Sequence, residues 1–115
     1  RLLKGVPGVT LHVEREWAKN VYWMYSIVIE DEFGMSRDDL MAFLRQKGVD
    51  TRTFFIPMHV QPAFKNMRLF EGERYPVSEM LAERGLYLPS GSGLAEEQIN
   101  TVCEAVRQAR KSKGK

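Results

Sequence analysis

The chain has 115 residues, 17 of them basic and 15 acidic, for a formal net charge of +2. That length fits one domain, and the near-balance of charge lacks the electrostatic footprint of a nucleic-acid binder. No apolar run approaches the roughly 18 residues of a membrane span, no signal peptide is visible, and the single cysteine, Cys103, leaves no disulfide framework and points to a reducing, cytoplasmic setting.

The chain starts at Arg1, followed by Leu2 and Leu3, which reads either as the cut end of a longer protein or as a processed or engineered terminus. Gly5, Pro7 and Gly8 make a turn. Val9, Leu11 and Val13 then alternate with Thr10, His12 and Glu14, a short strand with one buried face. Glu14 to Asn20 is a polar connection around Trp17, whose indole either caps a core edge or lines a groove. Val21 to Ile29, VYWMYSIVI, is the strongest strand signal. It is apolar on both faces, so it expects cover on one side from outside this chain.

Glu30 to Gly34 is an acidic turn. A helix follows, with Ser36 as N-cap, Asp38 and Asp39 in the first turn, and Leu40, Phe43 and Leu44 as its buried stripe, widened by Met41. Gly48 stops it. Thr51 to Ile56 reads as the next strand, ended by Pro57, which has no N–H for a ladder. This strand and its stiff loop to Pro62 bring Arg52 and His59 to a sheet edge, as candidate site residues or as a solvated arginine and a histidine bonded to a carbonyl.

Ala63 to Glu73 shows little periodicity. Tyr75-Pro76 opens a helix with Val77, Met80 and Leu81 on one stripe and Gly85 as its stop. Leu86 to Leu88 is a strand stopped by Pro89, and Ser90 to Gly93, SGSG, is a loop. The last helix runs from about Ala95 to Arg110, with Ile99, Val102, Cys103 and Val106 on one face, which makes Cys103 a buried small apolar residue. Lys111, Lys113 and Lys115 in the basic tail 111–115 suit the negative end of that helix. The fold class is α+β: a small, mostly antiparallel sheet with helices packed on one face.

No metal site is expected, since His12, His59 and Cys103 fit no ligand spacing. The sequence has no GxGxxG or phosphate loop. SGSG before a helix is an ordinary helix entry or, less specifically, an anion contact. Tyr22, Trp23, Tyr25, Phe54 and Phe55 alternate between faces and form no stacking platform for RNA.

The succession VYWMYSIVI, KGVDTR, FFIPMHVQPAFK and YPVSEMLAERGLYLPSGSGLAEEQI, in that order and spacing, resembles the C-terminal part of the nucleotide-sugar aminotransferases of the DegT/StrS type, and among them the perosamine synthases. The resemblance covers about Gly8 to Arg107. It implies the small domain of a fold-type-I aminotransferase: residues 1–8 as a linker from a large N-terminal domain, 9–110 as the small domain and 111–115 as a tail. It implies pyridoxal phosphate in the parent, held mainly by the large domain through a Schiff-base lysine, and no cofactor in this fragment, which alone would be inactive. The parent would move an amino group from glutamate to a nucleotide-linked 4-keto-6-deoxy sugar, with GDP as the nucleotide, for polysaccharide or O-antigen synthesis, and would work as a homodimer. In that setting Arg52 would pair with the glutamate carboxylate or the phosphates, and His59 would hydrogen-bond sugar or phosphate. Phe54 and Phe55 would form apolar wall, and Tyr25 or Trp17 would line the edge. The alternatives are a stand-alone ligand-binding or regulatory α+β module and a dimerisation module.

Overall fold

The structure, a computed structural model, describes residues 1–113. Four strands, Val9–Leu11 (β1), Tyr25–Ile29 (β2), Arg52–Thr53 (β3) and Gly85–Leu88 (β4), form one antiparallel sheet in the order β1-β2-β4-β3. Four helices accompany it: Arg37–Gln46 (α1), Pro62–Asn66 (α2), Pro76–Arg84 (α3) and Glu96–Lys113 (α4). The architecture is the expected α+β.

Pairing sets the two faces. Ile27 stands opposite Leu11 on one side and Leu86 on the other, and Tyr25 opposite Leu88. Cross-strand partners share a face, so this face is apolar. It buries Ile27, Ile29, Leu86 and Leu88 together with Leu40 and Leu44 of α1 and Cys103, Val106 and Ala109 of α4. The opposite face carries a row of Arg52, Tyr87 and Ser26 across β3, β4 and β2.

Helix α1 follows its sequence signals closely. Ser36 accepts from the Asp39 N–H at 3.1 Å. At the other end Gly48 takes φ +78, its N–H reaches the Arg45 carbonyl and the Val49 N–H reaches Leu44, a Schellman stop that closes the last turn. Arg37 then links α1 to α3 by donating to the carbonyls of Ala82 and Gly85 at the α3 terminus.

Several expectations are revised. The strand expected over 21–29 begins only at Tyr25, because Tyr22 adopts φ +51 with its N–H on the Asn20 side-chain oxygen at 2.8 Å. Val21 and Trp23 are left exposed. The strand expected over 51–56 is reduced to Arg52–Thr53. The Phe54 N–H still reaches the Gly85 carbonyl at 3.3 Å, but β3 is an edge strand with no neighbour beyond it. Gly85 ends α3 as expected, with φ −87 and in extended backbone that runs straight into β4. Its requirement is space, since a Cβ there would lie 2.4 Å from the Phe54 ring and 2.5 Å from the Leu81 carbonyl oxygen. The stretch after Pro62 contains the short α2, opened by proline at its first turn. Val77 is exposed. Leu3 lies in the core and the Leu2 carbonyl accepts from Arg107. Helix α4 continues to Lys113, and the last two residues of the expected basic tail lie outside the described residues.

Candidate functional site

The row containing Arg52 and Tyr87 begins a groove on the second face of the sheet. Phe54 stacks on Tyr87 with ring centroids 4.8 Å apart and planes 21° from parallel, and Phe55 meets the same ring edge-on at 6.0 Å. Phe54 is half-buried, while Phe55 is 67% exposed. Pro57 halts the extended backbone, and the 3-10 turn Met58–Val60 behind it swings His59 inward to 8% exposure.

His59 is held from the head of α3. Its Nε2 lies 2.9 Å from Glu79 Oε1, and Arg74 grips the same carboxylate with Nε on Oε1 at 2.9 Å and Nη2 on Oε2 at 3.0 Å. The bonds from Arg74, then from His59, hold the Glu79 carboxyl at about 2, well below its ordinary 4.5. An ionised carboxylate only accepts, so His59 Nε2 carries the proton and donates. Nδ1 has no hydrogen-bond partner among the described residues. The Tyr75 ring meets the imidazole edge-on at 4.9 Å. Between Phe54, Phe55, His59, Tyr75, Leu81 and Tyr87 lies a groove of about 550 Å³.

Of the six candidates, Phe54, Phe55 and His59 line this groove; Arg52 stands opposite Tyr87 on the same face but is not part of the lining. Tyr25 stands on the other face, lining a cavity of about 710 Å³ with Tyr22, Trp23, Leu88, Leu94 and Ile99. Burial raises its hydroxyl pKa, and its ring meets His12 edge-on at 5.0 Å. Trp17 joins neither cavity: it is 86% exposed in the connection before β2, so it caps no core edge. The sequence reading omitted Glu79, Arg74, Tyr75 and Tyr87. The available signal was an acid in the first turn of a proline-started helix, which usually marks only a favourable helix end. Among the described residues no group of three His, Cys, Asp or Glu is placed to hold a metal ion. No described helix is long and apolar enough to cross a membrane.

The profile of the DegT/DnrJ/EryC1/StrS aminotransferase family matches residues 1–107. The chain belongs to that family. It is 34% identical over 105 residues to the GDP-perosamine synthase of Vibrio cholerae, covering 91% of this chain and 28% of that protein. It is 37% identical over 111 residues to the pleiotropic regulatory protein of Geobacillus stearothermophilus, covering 94% and 28%. Among solved structures, S. venezuelae DesV in complex with a ketimine intermediate superposes with a TM-score of 0.82 at 32% identity, over 96% of this chain and 28% of that one. The chain thus spans little more than a quarter of the length of these relatives. DegT-family aminotransferases use pyridoxal phosphate, whose aldehyde needs a lysine amine. Neither Lys4, Lys19, Lys47, Lys65 nor Lys111 lines the groove or the larger cavity. Among the described residues, neither cavity offers that amine.

Proposed function

We propose that this chain is the small-domain portion of a sugar aminotransferase that moves an amino group from glutamate to the keto carbon of a nucleotide-linked 4-keto-6-deoxy sugar, of the perosamine type, with GDP as the nucleotide. The observation that carries the reading is the likeness to GDP-perosamine synthase across 91% of the chain. On this reading the parent is a homodimer that holds pyridoxal phosphate in its other domain, and the present residues bind and position substrate. Arg52, exposed and without an ion pair among the described residues, offers a fork for an anion. Phe54 and Phe55 supply wall. Tyr25 and, at the margin, Trp17 face what covers the other side. His59 is already engaged by Glu79, so its part is to hold the turn that forms the groove and to leave Nδ1 for substrate.

The test uses the longer protein containing this chain, loaded with pyridoxal phosphate. A visible band that borohydride fixes and glutamate removes, followed by amino transfer to a GDP-linked 4-keto-6-deoxy sugar, is the expected result. A protein with no such band is not this enzyme. In the same enzyme Arg52→Ala is expected to lower kcat/KM about ten- to a hundredfold, the worth of one charge-assisted bond. A second reading, a regulatory or dimer-forming module, is favoured by the likeness to a protein named for pleiotropic regulation. Sedimentation of the chain with and without a nucleotide sugar separates the two forms of that reading.

A further inference from the structure

Arg37 is an unusual residue with which to open a helix. It stands first in α1, at the positive end, where a cation is disfavoured, and Asp38 and Asp39 follow to offset the charge. Its side chain is nevertheless only 12% exposed. A guanidinium so placed needs partners. Its Nε donates to Asp38 Oδ1 at 2.9 Å, and its Nη1 donates to the Ala82 carbonyl and, at 3.2 Å, to the Gly85 carbonyl. Asp38 is largely exposed, so that ion pair adds little stability and serves to aim the fork. The Gly85 oxygen also accepts from the Phe54 N–H at 3.3 Å, the bond that ends the short pairing of β3 with β4. Gly85 meets Phe54 a second time through its Cα, which lies where any Cβ would strike the ring.

We infer that Arg37 is a positioning residue: from α1, on the sealed face of the sheet, it fixes the Gly85 carbonyl that seats Phe54 against Tyr87 on the other face. The edge strand β3 has two paired residues and no neighbour on its outer side, so little else holds the chain at Phe54. A carbonyl oxygen has two lone pairs, and a cation on one strengthens the bond accepted by the other. An arginine that only capped α3 would stop at the carbonyls of the last turn. Arg37 takes Ala82 for that and reaches on to Gly85, the first residue of β4. Lysine carries the same charge but has no planar fork to span the Asp38 carboxylate and both carbonyls. As a positioning residue for amino transfer, Arg37 rests on the reading just proposed, in which Phe54 is wall for the substrate. Its hold on Phe54 is independent of that reading.

The experiment follows amide hydrogen exchange in the longer protein containing this chain, loaded with pyridoxal phosphate, unaltered and as Arg37→Ala and Arg37→Lys. Arg37→Ala is expected to quicken exchange at Phe54 about ten- to a hundredfold, the loss of one charge-assisted bond, while Leu44 and Val106 in the sealed core keep their rates. Arg37→Lys keeps a cation at the end of α3, decides the matter if the alanine variant does not fold, and is expected to quicken Phe54 by a smaller factor. Quickening of Phe54, Leu44 and Val106 together makes Arg37 a general stabiliser and overturns the inference. A change confined to the last turn of α3, with Phe54 unmoved, makes it a helix cap and overturns it equally. In the same loaded protein Arg37→Lys should raise KM for the GDP-linked 4-keto-6-deoxy sugar several-fold with kcat little changed. An unmoved KM beside a quickened Phe54 overturns the role towards substrate. Reaction with glutamate is recorded separately: if the unaltered protein shows none, the aminotransferase reading fails, and exchange at Phe54 still decides the hold that Arg37 has on it.

Discussion

On one face of the sheet Ile27, Leu86, Leu40, Leu44 and Val106 are sealed against each other. On the other, Phe55 and Tyr75 stand open beside the ionic chain His59–Glu79–Arg74. The first face is held by apolar area, which is non-directional and indifferent to pH. The second is held by a few directed contacts: a ring laid over a glycine, a histidine on a carboxylate, an arginine fork. A surface organised this way keeps its shape without being filled, and that leaves room for a ligand. Breaking each face should therefore have a different signature.

The largest loss is expected on the sealed face. Leu86→Ala should cost about 2–5 kcal/mol, read by urea or thermal unfolding, because a fully buried leucine leaves both transfer energy and a cavity. The groove side has its counterpart in Gly85→Ala. The backbone there accepts alanine, so the expected cost of about 1–3 kcal/mol comes from overlap with Phe54 and the Leu81 carbonyl. Trimming the ring in a Gly85→Ala/Phe54→Ala double variant should recover part of it, and strict additivity would refute the contact. Ser36→Ala, which removes the cap of α1, should cost about 1 kcal/mol with no dependence on pH near neutrality.

The same contrast explains what the sequence discloses. Ser36, the stripe at Leu40 and Leu44, and Gly48 are local signals, and α1 appears where they place it. The buried face of α4 is equally periodic, apart from Ile99, which faces a cavity. Val21 to Trp23 mislead because apolar character marks a buried strand only when something covers it, and among the described residues these three side chains stay exposed. Gly85 is legible as a special glycine but not for its reason, since Phe54 is 31 residues away in sequence (85 minus 54). Arg52 and His59 can be suspected from a strand that ends in a proline loop. Their surroundings cannot, because Glu79 and Arg74 come to His59 only through the path of the chain around α2.

The subtlest effect belongs to Glu79→Gln, since Arg74 is largely exposed and its charge is screened by solvent. Glutamine keeps an oxygen for His59 Nε2 and gives up the charge, so the variant isolates the ionic part of the clasp. The folded carboxyl sits at about 2, below its ordinary 4.5, so the unfolded chain binds the proton more readily between those values. The stability this group contributes is complete above the ordinary value and disappears as pH falls towards the folded one. The difference between the unaltered protein and Glu79→Gln should be flat from neutral pH down to about 5, then shrink steadily towards pH 2, and be smaller throughout at high salt. Leu86→Ala, followed over the same range, should run parallel to the unaltered protein. If the Glu79→Gln difference stays constant from pH 6 to 3, the carboxylate is not held by Arg74 and His59 in solution. The groove would then owe its shape to the rings alone.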